Sequence, residues 1–120
     1  PTLPAGLWQN AQGARLDLSL DGTTVTGTYQ TPLGRTDPGH RAMVLGQFVG
    51  DFITFSVLWD KEQSLTSWTG RVIRDDRGIV LHTIWILGRT YRDAGHAERT
   101  ENWDCLTINT TDFIYQGPSA

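Results

Sequence analysis

The sequence predicts an all-β fold, an eight-stranded antiparallel up-and-down β-barrel, and three observations support it. Apolar and polar residues alternate along short segments, as between Leu16 and Leu20, which is typical of half-buried strands. Turn signals such as Asp21-Gly22 leave short connections, which favours an antiparallel meander. Eight consecutive strands can close into a barrel without exposed edges and with room for one small ligand. A β-sandwich is the alternative that the pattern allows.

The first half of the chain is expected to form five strands. After a first strand at 6–10, three leucines alternate with polar residues over 16–20, and small and aromatic residues share one face over 25–29. Proline and glycine mark a long loop over 32–41. A strand at 43–48 then ends at Gly50-Asp51, and a long apolar strand covers 52–59.

The second half is expected to form three strands joined by one tight turn and one long loop. A polar turn at 60–64 precedes a strand at 66–73, and Arg77-Gly78 turns the chain into a strand at 79–87. A polar loop covers 88–102 before the last strand at 105–115. The barrel domain is therefore placed at 6–115, with loose segments at 1–5 and 116–120.

Length, charge and composition indicate one domain and argue against several functions. The 120 residues carry a net charge of −3, which gives no reason to expect nucleic acid or an anionic membrane as a partner. Cys105 is the only cysteine, so no intrachain disulfide can form. No Ser-His-Asp spacing, metal cluster or phosphate loop supports an enzyme, and the three histidines lie far apart, so no metal site is expected: His40, His82 and His96.

The predicted inward faces carry an unusual mixture of aromatic and hydroxyl side chains. The chain has five tryptophans, and buried Trp and Thr groups need hydrogen-bond partners. Apolar walls with a few polar groups favour a small-molecule pocket, with a packed structural barrel as the alternative. The residues expected to point inward are Tyr29, Trp59, Thr66, Trp68, Thr83 and Trp85.

Five sequence motifs together resemble the avidin and streptavidin family. In chain order they are Gly-Leu-Trp-Gln-Asn at 6–10, Gly-Thr-Tyr-Gln-Thr at 27–31, Phe-Ser-Val-Leu-Trp at 55–59, Ser-Leu-Thr-Ser-Trp-Thr-Gly at 64–70 and Thr-Ile-Trp-Ile-Leu at 83–87. Each motif alone is weak, but their order and spacing match over residues 6 to about 115. The resemblance implies a non-catalytic barrel that binds biotin non-covalently, as a ligand and not as a cofactor.

The resemblance assigns the polar end of the pocket residue by residue. Asn10 and Tyr29 would bind the ureido oxygen of biotin, and Thr31 would accept from one ureido N–H. The other ureido N–H would meet a residue of the last strand, which is Thr111 in a gapless match and Asp112 after a shift of one. Strand alternation allows only one of these two to point inward.

The remaining assignments concern the walls of the pocket and its rim. Thr66 would face the thioether sulfur, Ser64 would meet the valerate carboxylate, and Arg35 would add charge near that carboxylate unless it is a solvated loop residue. Trp8 is expected to be structural, at the closed end. Leu33 is a further expected biotin-binding residue, and the residues that would wall the ring and chain are Trp59, Trp68, Trp85 and Leu87.

Trp103 resembles the tryptophan that family tetramers lend to a neighbouring pocket. The resemblance therefore implies a homotetramer with dihedral symmetry, and a dimer is the second possibility. The alternative for Trp103 is a loop residue that packs on its own barrel. Biotin sequestration by a secreted or periplasmic protein is the expected role.

Ala14 is the main departure from the family pattern, because the family usually has Ser at this position. A third donor to the ureido oxygen would then be missing, and affinity would fall below the family's upper range. Ala14 and the last-strand ambiguity motivate a second interpretation, a barrel whose pocket has drifted to weaker biotin binding or to another small ligand or peptide.

Overall fold

The computed structural model describes residues 2–32, 41–59, 63–89 and 105–119, and these residues form a closed β-barrel. Each strand pairs antiparallel with the next, and the last strand pairs with the first. The prediction of an eight-stranded up-and-down barrel is thereby confirmed, and the alternative of a β-sandwich is wrong. The strands are β1 (Gly6–Gln9), β2 (Arg15–Asp21), β3 (Thr24–Gln30), β4 (Arg41–Val49), β5 (Phe52–Trp59), β6 (Ser64–Asp75), β7 (Gly78–Arg89) and β8 (Leu106–Gly117).

Three tight turns close one end of the barrel, at the positions that the sequence indicates. Gly22 and Gly50 adopt positive φ angles of 62° and 60°, a conformation that glycine tolerates without steric cost. In the third turn, the Asp75 carboxylate accepts the backbone N–H of Arg77 at 2.8 Å. Within the described ranges, no helix is long and apolar enough to cross a membrane.

The apolar core fills the barrel and continues towards the end with the tight turns. Alternation along each strand places one face inside, as the period of two requires. The largest fully buried side chains include Trp8, Phe55, Phe113, Leu16, Leu18, Leu81, Val25, Val44, Val57 and Val72.

Several elements extend further than the sequence pattern indicates. β6 and β7 are 12 residues each, and β8 reaches Gly117, where it pairs with Leu7 across the closure of the barrel. The segment before β1 is docked, since Leu3 lies in the core and Ala5 accepts a hydrogen bond from the Tyr115 hydroxyl at 2.7 Å. Barrel closure creates these contacts, and it is a long-range event that local periodicity does not report.

Gly70 lies where two strands approach too closely for a side chain. A Cβ atom at this position would stand 2.0 Å from the carbonyl oxygen of His82, which is backbone on the paired strand and cannot move aside. We expect Gly70→Ala to lower the free energy of unfolding by about 3 kcal/mol, because the two strands must separate.

Gly88→Ala is the matched control for Gly70→Ala. Its nearest neighbour would be a terminal methyl of Leu106 at 3.2 Å, which is the flexible end of a side chain. Urea denaturation of the two variants should differ by about 2 kcal/mol or more in the free energy of unfolding. Equal stabilities would contradict the close approach at Gly70.

Candidate functional site

The candidate site lies at the end of the barrel opposite the three tight turns, which we call the site end. Four connections leave the barrel there, at residues 10–14, 31–40, 60–63 and 90–105. Cross-strand neighbours share a face of a sheet, so the register brings the predicted residues together on the inner face. Those described at this end are Asn10, Tyr29, Thr31, Trp59, Ser64, Thr66, Trp68, Trp85, Leu87 and Thr111.

An aromatic wall spans strands β5 to β7. Trp68 pairs directly with Trp85, and its ring stacks on Phe55 with centroids 4.8 Å apart. The Tyr29 ring fills the corner, at 5.1 Å from Trp68 and 5.9 Å from Trp59. Phe55 was missed as a site residue; its place on the same alternating face as Trp59 is the signal that could have found it.

Asn10 is held by the turn that follows β1. Its Oδ1 accepts the backbone N–H groups of Gln12 at 3.1 Å and Ala14 at 2.9 Å, so the orientation of the amide is determined by its partners. Its Nδ2 lies 3.5 Å from the Thr111 hydroxyl. An amide nitrogen carries two hydrogens, so one remains for a ligand in the cavity.

Tyr29 lies at the site end, where burial changes the acidity of its hydroxyl. Burial raises the pKa of Tyr29 to about 12, and the side-chain hydrogen bond with Thr31 opposes that shift. Tyr29 is therefore a neutral hydroxyl across the physiological pH range and can donate to a ligand oxygen.

The last strand presents Thr111 to the interior and Asp112 to the outside. Thr111 pairs with Thr83, which is only 1% exposed and donates its hydroxyl hydrogen to the Thr111 carbonyl at 2.8 Å. Asp112 pairs with His82, and its carboxylate lies 2.5 Å from His82 Nδ1 and 3.0 Å from Arg77 Nη1. The gapless alternative, Thr111, thus lies on the inner face, and Asp112 faces outward.

Below the rim, where Arg89 pairs with Ser64, the inner face at the site end presents neutral polar groups within the described residues. Its polar groups are the amide of Asn10 and hydroxyls, and the buried polar residues of the chain are Thr66 and Thr83. Asp112 and its partners Arg77 and His82 line an outer groove of about 570 Å³, which Asn10 and Thr111 also border. A neutral hydrogen-bonding cavity suits a neutral polar head group better than an ion.

Comparison with known proteins identifies the family of this barrel. A model of the avidin family matches residues 1–115. The chain belongs to the avidin family. The comparison with curated proteins yields no match.

Solved avidin-like structures share the fold along nearly the whole chain. A rhizavidin–biotin complex has a TM-score of 0.75 and 23% identity, covering 98% of this chain and 96% of that chain. A biotin binding protein from chicken has a TM-score of 0.76 and 24% identity, covering 94% and 95%. Apo short afifavidin has a TM-score of 0.75 and 26% identity, covering 94% and 97%. The predicted family and its fold are confirmed.

Two residues of this avidin-family site have structural roles beyond those that the sequence analysis gives them. Ala14 is buried next to Asn10, and its N–H is one of the two bonds that hold the Asn10 amide. Thr83 supports the backbone of Thr111 from β7. The alternation Thr83-x-Trp85 places Thr83 inward, but only the register shows that it reaches Thr111.

Three predicted site residues, Leu33, Arg35 and Trp103, lie outside the described residues. Trp8 is buried in the core against Tyr115, with ring centroids 5.0 Å apart. Its Nε1 has no hydrogen-bond partner within the part of the chain that the structure describes.

Proposed function

We propose that this chain binds biotin tightly and without chemical change in the cavity at the site end. The observation that carries the proposal is an avidin-family barrel whose site end combines an aromatic wall, to which Tyr29 belongs, with the fixed amide of Asn10. Biotin has a polar urea ring and an apolar remainder, which match the polar groups and the aromatic wall of the site.

The polar head of biotin would be held by groups that are already oriented. The ureido oxygen would accept from the second amide hydrogen of Asn10 and from the Tyr29 hydroxyl. Both donors are fixed by other contacts, Asn10 by its turn and Tyr29 by Trp68, so little ordering is required on binding. Thr31 and Thr111 flank these donors and would meet the two ureido N–H groups.

The apolar part of biotin would lie along the tryptophan wall. Trp68 and Trp85 would cover the ring system, and Thr66 would face the sulfur from a buried position. Ser64, paired with Trp59 at the rim, would meet the valerate carboxylate. Three further residues are proposed to complete the site: Leu33, Arg35 and, from a neighbouring subunit, Trp103.

Tryptophan fluorescence and thermal unfolding test this function directly. Biotin should quench the fluorescence of the wall tryptophans, and saturating biotin should raise the melting temperature, because a ligand that binds only the folded state stabilises it. If excess biotin produces neither effect, the result favours a pocket that has drifted to another ligand. A screen of small cyclic amides and peptides is then the next experiment.

Ala14→Ser provides a sharper prediction about the polar end. A serine hydroxyl at this buried position, beside Asn10, would add a third donor to the ureido oxygen. We expect biotin affinity to rise by about 10- to 100-fold, because a donor to a polarised buried oxygen contributes about 1.5–3 kcal/mol. Calorimetric titration of both proteins measures the difference. Weaker binding by the serine variant would mean that another group already occupies this place.

We propose that the protein is a homotetramer, with a dimer as the second possibility. An outward-facing apolar surface crosses β5 to β8, and cross-strand pairs join its members. Exposed apolar patches of more than a few hundred Å² mark interaction surfaces in soluble proteins. This apolar surface consists of Leu58, Leu65, Ile84, Ile86 and Ile108.

Ile108→Lys should dissociate this assembly. Ile108 is 62% exposed in the isolated chain, and a charge on it would have to be desolvated in an interface. Light scattering should show a smaller mass than that of the unmodified protein. Ser19→Lys, on an exposed polar residue of β2, is the control that should keep the mass. An unchanged mass for Ile108→Lys would exclude this surface as the interface.

Sequestration of free biotin by a secreted or periplasmic protein is the biological role that we propose. A binder without a chemical step removes its ligand from solution only in proportion to its own amount, so tight binding and slow release would serve that role. Fractionation of the producing cells tests the location, and growth of a biotin-requiring organism with the protein in the medium tests the role.

A further inference from the structure

The head-group end of the cavity has two hydroxyls placed beside two donors. Thr31 is hydrogen-bonded to Tyr29, and the Thr111 hydroxyl lies 3.5 Å from Asn10 Nδ2. A cyclic urea has the same layout, because its carbonyl oxygen stands between two N–H groups. With the carbonyl oxygen between Asn10 and Tyr29, one N–H falls towards Thr31 and the other towards Thr111.

The chemistry of these two positions differs from that of a carboxylate. A hydroxyl has one hydrogen to donate and two lone pairs to accept with, and it rotates to suit its partner, whereas a carboxylate only accepts. At Thr111 the Asn10 amide uses one lone pair, which leaves the other lone pair and the hydrogen for a ligand. Thr111 can therefore accept from a ring N–H or donate to a ring oxygen.

The surroundings hold Thr111 in place and leave its hydroxyl able either to donate or to accept a hydrogen bond. Its backbone carbonyl accepts the Thr83 hydroxyl at 2.8 Å, so the side chain is presented by a fixed strand. The carboxylate next to it in sequence, Asp112, is turned outward to His82 and Arg77. Asp112 is thus already bonded to two side chains, and on the inner face position 111 presents a hydroxyl in place of a carboxylate.

We propose that Thr111 is a specificity-determining residue that widens the ligand class from cyclic ureas to cyclic carbamates, in which one ring N–H is replaced by oxygen. This inference rests on the proposed function, since it takes the urea ring of biotin to lie between Asn10 and Tyr29.

The test uses biotin and its two cyclic-carbamate isosteres, each with a different ring N–H replaced by oxygen. Calorimetric titrations of the unmodified protein at pH about 8, where a carboxylate at position 111 would be ionised, should give affinities for biotin and for the isostere whose oxygen faces Thr111 that agree within about 10-fold. Thr111→Asp should lower the affinity for the isostere whose ring oxygen faces position 111 by about 100-fold or more, because the carboxylate and the ring oxygen are both acceptors. The other isostere, whose oxygen faces Thr31, is the internal control.

Thr111→Val separates the hydroxyl from the shape of the side chain. Valine matches threonine in size but neither donates nor accepts, so biotin and the isostere facing position 111 should both weaken by about 10-fold. Two results would overturn the inference while biotin binding stands. One is an affinity of the unmodified protein for that isostere more than about 100-fold below its affinity for biotin. The other is an equal change in affinity for both isosteres in Thr111→Asp. Absence of biotin binding itself would instead overturn the proposed function, and this inference with it.

Discussion

Asn10→Asp is expected to abolish tight biotin binding while leaving the barrel folded. The carboxylate keeps the acceptor that binds the N–H groups of Gln12 and Ala14, and these two bonds also keep it ionised. The donor facing the cavity becomes an acceptor, which would oppose the ureido oxygen. We expect affinity to fall by about 100-fold or more, as for other opposed acceptors in a buried site.

Asn10→Ala is the matched comparison, because it removes both functions of the side chain. Without Oδ1, the N–H groups of Gln12 and Ala14 lose their acceptor, and we expect the free energy of unfolding to fall by about 2 kcal/mol. Asn10→Asp should instead stay within about 1 kcal/mol of the unmodified protein. Titration calorimetry and urea denaturation measure the two quantities separately. Retained affinity in the aspartate variant would remove Asn10 from the list of donors.

Trp68→Ala is expected to cause the largest combined loss of stability and binding. Its ring is buried, stacks on Phe55 at 4.8 Å and contacts Tyr29 at 5.1 Å, so its removal leaves a cavity between the core and the site. Replacing a buried Trp by Ala costs about 3–5 kcal/mol of folding free energy. Binding should also weaken, because Tyr29 loses the surface that orients its hydroxyl.

Trp68→Phe tests whether these losses come from the cavity or from the ring itself. Phenylalanine keeps an aromatic face towards Phe55 and Tyr29 and should recover more than half of the lost stability. Chemical denaturation with and without biotin reports both effects from one set of samples. A Trp68→Ala variant with unchanged stability would contradict the packing around this ring.

The wall of the site follows from local pattern, whereas its polar end depends on long-range pairing. Residues two apart on a strand share a face, so the inward placement of Trp59, Trp68 and Trp85 could be predicted from alternation alone. The choice between Thr111 and Asp112 requires the register of β8 against β7, since a shift of one residue reverses every side chain.

Other features were hidden because they arise only when the barrel closes. The pairing of β1 with β8 joins residues over 100 positions apart, and it extends β8 to Gly117 and docks Leu3. The role of the Asn10 oxygen in its own turn is local, and the Asn-Ala-Gln-Gly sequence at 10–13 carries a signal for it. The resemblance assigns Asn10 to the ligand, and the turn role is compatible with that assignment because the turn uses only the oxygen of the amide.

Titration calorimetry with biotin on the unmodified protein tests the central claim most directly. The site is formed mainly by one barrel, so we predict saturable binding of one biotin per chain, with a dissociation constant below about 1 µM. Biotin should bind with a negative heat-capacity change, because the tryptophan wall is removed from water. Absence of saturable binding at protein concentrations well above that constant would contradict biotin as the ligand of this cavity.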